Sequence, residues 1–417
     1  MDKVLLTIIW VISIILVLYA AYYVFLAIFG LKRTKRITEP HAPKHKFLIM
    51  IAARNEGIVI GYLIDSLLKQ NYPRELFEIL VVVNNTTDDT EAVALRHGAR
   101  ALVCPLRVRS KGDAMAWAYQ NLPPDIEFDA VCIFDADNLA HPDFLLQMNQ
   151  ALCSGIEAAQ GYRDTKNPHD TWNSGTWAIN YWLGGRFYNQ PHHVLSLSSI
   201  IYGTGFMLSH RIIEKIGGLQ SCTLAEDFEI TMQCILADEK VGWVPDAITY
   251  DEQSLGFDTT WKQRRRWLVG FLQVISLYGQ RLIKATLHKP TRVKLDFMLY
   301  MLTPFATYLS IIVFSLGVVL RLVVLKYPLF PLTQFYDMFG PSLIMSILFP
   351  IALALFVVIV EKKFKPGIIK GILGFPLFMM LAIPLHIVAL LIYKKDFRWE
   401  EIRHTKAVSI DQIERNE

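Results

Sequence analysis

Charge is scarce in this chain and nearly balanced. Only 19% of its residues are Asp, Glu, Lys or Arg, and 42 basic against 38 acidic side chains leave a net charge of +4. So mild an excess makes no case for nucleic acid as a partner. Cysteine is also sparse. Cys104, Cys132, Cys153, Cys222 and Cys234 are odd in number, scattered and without metal-ligand spacing. They read as free thiols in a reducing compartment, not as a disulfide frame or a zinc site. Internal repeats and low-complexity tracts are missing as well.

What the chain has in quantity is apolar sequence. Hydrophobic residues make up 53% of its 417 residues, and a mean hydropathy of +0.32 at this length points to membrane segments. Val4 to Phe29 is long enough to span a bilayer. It is too long for the apolar region of a typical signal peptide, and no small-residue cleavage site is evident. It therefore reads as a permanent anchor over 1–30. Lys32, Arg33, Lys35 and Arg36 follow, which places the next part in the cytoplasm. Residues 31–46 read as a linker.

From 47 to 287 the composition turns globular. Strands are expected over Phe47–Ala53, Glu78–Val83, Ala101–Val103 and Ala130–Phe134. Helices are expected over Tyr62–Gln70, up to Arg96, and over Ala114–Asn121. This alternation implies an α/β domain with a mostly parallel sheet covered on both faces. Three more apolar stretches follow over 288–393: Phe297–Leu325, Leu343–Val360 and Ile372–Ile392. The third contains Pro376 and Pro384, so a kinked or re-entrant segment is expected. Lys362, Lys363, Lys365 and Lys370 place the loop before it inside. Simple alternation then puts the polar tail 394–417 outside, whereas Lys394, Lys395 and Arg398 ask for it inside.

The chemistry is concentrated in short clusters. Val131-Cys132-Ile133-Phe134 ends in Asp135-Ala136-Asp137-Asn138, two carboxylates at the end of a buried strand, where open α/β sheets put their ligands. Paired hard oxygen donors suit Mg²⁺ or Mn²⁺; a plain strand-to-turn junction is the alternative. Ala53-Arg54-Asn55-Glu56 follows the first strand, and Ser110-Lys111-Gly112-Asp113 opens a helix. Glu226-Asp227 precedes a helical run, where the two acids also suit the helix dipole. Gln263-Arg264-Arg265-Arg266-Trp267 has a competing reading as a lipid-contacting patch. Tyr202-Gly203-Thr204-Gly205 allows close backbone approach. Trp172, Trp177, Tyr181, Trp182 and Tyr188 before it are sugar platforms or ordinary core.

Together, and between membrane segments, these clusters resemble the membrane-integrated, processive branch of family-two glycosyltransferases, the cellulose, chitin, hyaluronan and poly-N-acetylglucosamine synthases. The resemblance covers about Lys46 to Trp267 by motif. It implies a GT-A domain with interfacial helices over 47–287, Rossmann-like, facing the cytoplasm beneath a multi-pass region of the plasma membrane. It implies Asp137 as the metal ligand, with Mg²⁺ or Mn²⁺ as the ion. Asp135, Lys111, Ala53, Glu56, Asn84 and Asp88 would bind the nucleotide sugar. Asp227 would be the base, with Glu226 beside it and Arg266 on the diphosphate. Gly203, Thr204, Gly205, Gln263 and Trp267 would meet the acceptor. Asn84 stands where the family commonly has an aspartate, which leaves the base preference open. Asp88 matches the later aspartate of that motif or is a helix cap. The implied reaction is inverting extension of a β-linked polysaccharide and its passage across the membrane, with UDP-glucose as first donor and UDP-N-acetylglucosamine as alternative. Partners are the nucleotide sugar, the growing polysaccharide and membrane lipid; an accessory subunit is not legible. A non-processive transferase acting on a lipid carrier is the rival reading.

Overall fold

A computed structural model describes residues 2–32, 41–320, 332–395, 404 and 406–415. The basic residues Arg33, Lys35, Arg36 and Arg398, and the 321–325 end of the second apolar stretch, lie outside the described residues.

The strands are β1 (Phe47–Ala53), β2 (Phe77–Asn84), β3 (Arg100–Cys104), β4 (Ala130–Asp135), β5 (Leu139–Ala140), β6 (Ala158–Thr165), β7 (Phe206–Ser209) and β8 (Gly242–Asp251). They form one sheet in the order β3-β2-β1-β4-β7-β6-β8-β5. The half from β3 to β4 is parallel. In the other half β7 runs antiparallel to both β4 and β6, while β6 and β8 are parallel.

Every residue of β1 is buried, as a continuous apolar run in a sheet covered on both faces requires. Alternate side chains leave on opposite faces, so β1 feeds two cores. Phe47, Ile49, Ile51 and Ala53 join Ile60, Leu63 and Leu67 of α2 (Ile60–Leu68), then α3 (Thr90–Arg96) and α5 (Phe144–Cys153). Leu48, Met50 and Ala52 join α4 (Lys111–Gln120), together with α8 (His210–Ile216) and α9 (Glu226–Leu236). The expected elements are present, with ends shifted by up to three residues where caps decide. Ser110, for example, caps α4 by accepting from the Asp113 N–H and starts that helix at Lys111.

The remaining helices are α1 (Asp2–Ile28), α6 (Trp172–Gly184), α7 (Gln190–Val194), α10 (Phe257–His288), α11 (Arg292–Met301), α12 (Thr303–Val319), α13 (Leu332–Val360), α14 (Ile369–Met380), α15 (Ala382–Ile392) and α16 (Ile410–Glu414). Three segments among the described residues are long and apolar enough to cross a membrane: Val4–Ile28, Gly340–Val360 and Pro366–Ile392. There are up to four if α11 and α12, bent by 43°, count as one. Trp177 and Trp182 are fully buried between α6, α13 and α14. These tryptophans are therefore core that joins the catalytic fold to the apolar helices, not sugar platforms.

The α6–α14 contact depends on two glycines meeting backbone to backbone. A Cβ on Gly371 would lie 2.6 Å from the Gly175 carbonyl carbon, so neither helix can accept a side chain without moving. Gly371→Leu should lower stability by about 1–3 kcal/mol through overpacking, read as a fall in the unfolding midpoint of the detergent-solubilised chain. An unchanged midpoint would mean that the helices separate freely.

Candidate functional site

The strand order reverses between β1 and β4, and ligands of open α/β sheets bind at the carboxyl ends of strands at such a switch point. Ala52 of β1 lies in register with Asp135 of β4. The residues that follow both strands therefore open into one cleft, with a volume of about 190 Å³. Ten of the residues singled out from sequence line it: Glu56, Lys111, Asp135, Asp137, Gly203, Glu226, Asp227, Gln263, Arg266 and Trp267.

The other five do not line it. Ala53 points into the core beneath β1, and its neighbour Ala52 faces the cleft. Asp88 accepts from the Gly57 and Thr90 N–H groups, each at 3.0 Å, and so ties the loop after β1 to the start of α3. Thr204 is buried against Asn138, and its hydroxyl accepts from the Asp135 N–H. A Cβ on Gly205 would collide with Thr249. Asn84 is buried at the end of β2 with no partner for either amide atom. The local-turn reading of the aspartate loop holds for Asn138, whose Oδ1 accepts from the Asp135 N–H at 3.1 Å. It does not hold for the Asp135 carboxylate.

That carboxylate pairs with Lys111, whose Nζ also donates to the Gly203 carbonyl at 2.7 Å and lies 4.0 Å from Glu226. Lys111 is thus no solvated surface charge. Burial opposes its charge, but Asp135, Glu226 and Asp227 outweigh burial and raise its pKa. Glu226 and Asp227 open α9, consistent with the dipole, and at the same time project into the cleft. Burial and the neighbouring Glu226 push Asp227 up to about 7, against the pull of the Phe228 N–H, Lys111 and Arg266. Gly203, at φ +80°, leaves room for it: a Cβ there would stand 3.3 Å from Asp227 Oδ2. Behind the pair, the buried Glu229 collects Ser221 Oγ, the Cys222 and Thr223 N–H groups, Thr223 Oγ1 and the Tyr278 hydroxyl at 2.7–3.0 Å. The loop before Asp227 is pinned by that one carboxylate.

Several lining residues were not anticipated. Arg163 pairs with the buried Asp251, donates to the Tyr202 carbonyl at 2.7 Å and stacks 4.0 Å over the Tyr181 ring. Of Trp172, Trp177, Tyr181, Trp182 and Tyr188, Tyr181 is thus the one that reaches the cleft. Arg54, Tyr202, Leu224, Glu252 and Gln253 also line it. So does His404, from the tail expected to be merely polar. Its Nδ1 is 3.0 Å from Glu56, and its Nε2 is 3.9 Å from Asp137. Burial opposes its charge, but Asp137, Glu56 and Glu252 raise its pKa to about 10. Burial pushes Glu56 up to about 7 against His404. Ile410 and Ile413 bury themselves near Leu139 and Tyr250 and anchor this tail. No sequence signal marked His404, because Glu56 and Asp137, the two carboxylates it meets, lie more than 250 residues away.

The donor set fits a hard divalent cation. Asp135, Asp137, Glu56 and Glu252 present carboxylates at one end of the cleft. Among the described residues no three such side chains converge as a cage. An open carboxylate edge suits Mg²⁺ or Mn²⁺, which keep positions for water and phosphate oxygens.

Residues 43–270, more than half of the chain, match the family described as glycosyltransferase like family 2. The chain belongs to that family. This glycosyltransferase is 25% identical over 241 residues to the beta-monoglucosyldiacylglycerol synthase of Synechocystis sp. (strain ATCC 27184 / PCC 6803 / Kazusa), covering 55% of this chain and 49% of the relative. It is 24% identical over 278 residues to the probable glycosyltransferase YdaM of Bacillus subtilis (strain 168), covering 64% of each. The chain thus spans about half to just under two thirds of the length of these curated relatives. The mannosyltransferase PcManGT from Pyrobaculum calidifontis, solved in complex with GDP-Man and Mn²⁺, superposes with a TM-score of 0.57 at 15% identity, covering 92% of this chain and 100% of that one. That likeness establishes the GT-A fold. Neither curated relative is named as a polysaccharide synthase, so the processive branch expected from sequence narrows to the family as a whole.

Proposed function

We propose that this glycosyltransferase moves a single hexose, with inversion, from a nucleoside-diphosphate sugar to a hydroxyl on a lipid at the membrane surface. UDP-glucose is the favoured donor. The observation that carries the reading is the cleft itself: Asp227, Asp135 and Asp137 share their lining with Leu224 and Trp267, and both of these pack against the apolar helices. The relatives named as monoglucosyldiacylglycerol synthases support a lipid acceptor over a polymer.

In this reading Asp227 takes the proton from the attacking hydroxyl. Its elevated pKa suits a base working near neutrality. Attack in line with the departing diphosphate inverts the anomeric carbon. Lys111 and Arg266 meet the diphosphate, Arg266 through the paired donors of its guanidinium. Asp137, with Asp135 beside it, would hold a divalent cation, which would supply charge compensation for the leaving diphosphate. Glu56 lies at the nucleotide end. Gln263 and Trp267 face the acceptor. The catalytic domain lies on the cytoplasmic side of the plasma membrane.

Metal dependence follows. Mn²⁺ titrated into the protein and followed by electron paramagnetic resonance should bind, and Asp137→Ala should lose that binding together with transfer. Full activity in excess chelator would overturn it.

One observation favours the polymer reading, since Gln263, Arg266 and Trp267 all line the cleft. Product sizing separates the two. Purified protein, radiolabelled UDP-glucose and diacylglycerol vesicles should yield a solvent-extractable lipid carrying one sugar. A non-extractable product degraded by a β-glucanase would sink the lipid reading and restore the synthase.

A further inference from the structure

Lys166 does not line the cleft, yet it is buried beside the cleft's carboxylate edge. It follows β6, is only 7% exposed, and its Nζ has no hydrogen-bond partner. An ammonium group taken out of water without a partner is costly, so its place here calls for a compensating field. We propose that Lys166 is a positioning residue of the carboxylate edge: its fixed charge keeps a bare divalent cation weakly bound, so that the ion is held firmly only together with the nucleotide diphosphate. The inference rests on the donor chemistry proposed above and not on the identity of the acceptor.

The ladder between β6 and β8 fixes where this charge lies. Thr165 is in register with Asp251, and the Lys166 N–H donates to the Asp251 carbonyl at 2.9 Å. One residue on, the Asn167 side chain accepts from the Gln253 N–H at 2.8 Å and donates to the Gln253 carbonyl at 2.9 Å. Lys166 is thus held against the segment from Asp251 to Gln253. The Glu252 N–H of that same segment donates to Asp137 Oδ2 at 3.2 Å. Burial lowers the Lys166 pKa, while Asp137, Glu252, Asp251 and Glu56 all pull it the other way. Asp137 answers in kind. Burial opposes its charge, but His404, Lys166, the Glu252 N–H and Arg163 outweigh burial and lower its pKa.

The balance of charge decides what this arrangement does. Asp137, Glu252, Asp251 and Glu56 with no cations among them would repel one another and draw a divalent ion strongly. Here Lys166, His404 and Arg163 already offset most of that charge, and Asp135 is paired with Lys111. A bare ion therefore enters a nearly neutral site and meets a buried ammonium of like sign. A diphosphate changes the balance, because it attracts the ion and is itself attracted by Lys166. Ion and nucleotide then favour each other's binding, and Lys166 acts on the two with opposite sign. The ordinary role of a lysine, an apolar stem with its charge in water, is excluded by the buried Nζ. So is a plain structural ion pair, since Nζ makes no hydrogen bond to any of the four carboxylates.

The test is binding by the full chain in detergent, read without transfer. Mn²⁺ alone is followed by electron paramagnetic resonance, and UDP alone, in excess chelator, by equilibrium dialysis. Lys166→Met keeps most of the volume and removes the charge. It should tighten Mn²⁺ by about tenfold or more and weaken UDP. Lys166→Arg, which keeps the charge, should leave Mn²⁺ weakly bound. A damaged fold loses affinity for both ligands, so opposite signs are a result that a merely structural role cannot give. If Lys166→Met does not fold, Lys166→Gln carries the same measurement. Unchanged or weaker Mn²⁺ binding in the folded variant would overturn the inference and leave the donor site standing. So would tight Mn²⁺ binding in Lys166→Arg. Absence of Mn²⁺ binding in every protein, with UDP and without, would overturn both. No sugar product is read, so a failed lipid-transfer assay leaves this result intact.

Discussion

Asp227→Asn should lower turnover by about 10²–10⁴-fold, the range contributed by a positioned general base, while nucleotide affinity stays close to that of the unaltered protein. The amide is nearly isosteric and its oxygen still accepts from the Phe228 N–H, at 2.8 Å in the present structure. What disappears is the ability to take a proton. In the unaltered protein the group is raised to about 7, so the base form dominates above that pH. The rate should fall about tenfold for each pH unit below it, as the carboxylate is titrated away. Glu226 is the neighbouring charge that opposes ionisation of Asp227: removing it by Glu226→Gln relieves repulsion on the Asp227 carboxylate, lowers its pKa and moves the acid limb to lower pH. Pre-steady-state transfer rates across pH for the three proteins decide the matter. Normal turnover in Asp227→Asn would transfer the role to Glu226 or elsewhere.

Arg163→Leu should cost about 3–5 kcal/mol of stability, because it strips the buried Asp251 of its counter-charge and hydrogen-bond donor. Asp251 is only 2% exposed. Burial opposes the arginine's charge, but Asp251 and its neighbours outweigh that and raise its pKa. The loss extends to the site, since the same guanidinium holds the Tyr202 carbonyl and stacks on Tyr181. Adding Asp251→Asn to Arg163→Leu should recover part of the loss, as residues sharing one ion pair are non-additive. Unfolding midpoints of the two single variants and the double variant, measured on the full chain in detergent, form the cycle. Strict additivity would remove the ion pair from the account of stability.

The strands β1, β2 and β4 and the clusters at their ends were legible in the sequence because their signals are local. A buried parallel strand is a continuous apolar run, and the aspartates after β4 follow directly from where that run stops. Glu226-Asp227 and Gln263 to Trp267 were legible for the same reason, each being contiguous. Tertiary structure singled out Tyr181 from the five aromatics named in the sequence, and it alone brought Arg163, Glu252 and His404 to the cleft. Their partners are distant in sequence, and a lone arginine or histidine has no spacing to betray it. Tertiary structure also made Lys111 a buried partner of Asp135, and separated Ala53 from Ala52 by the alternation of β1. The tail was read as polar, yet Ile410 and Ile413 tether it to the catalytic domain, and only their burial beside Leu139 and Tyr250 reveals that. Pro366–Ile392 marks the limit most sharply. Hydropathy sums the apolarity of each residue without regard to its neighbour, so it has the same value for a helix crossing lipid and for one packed along α6 and α10. Where such a helix lies is decided by the groups it touches, and those are brought together only by the fold.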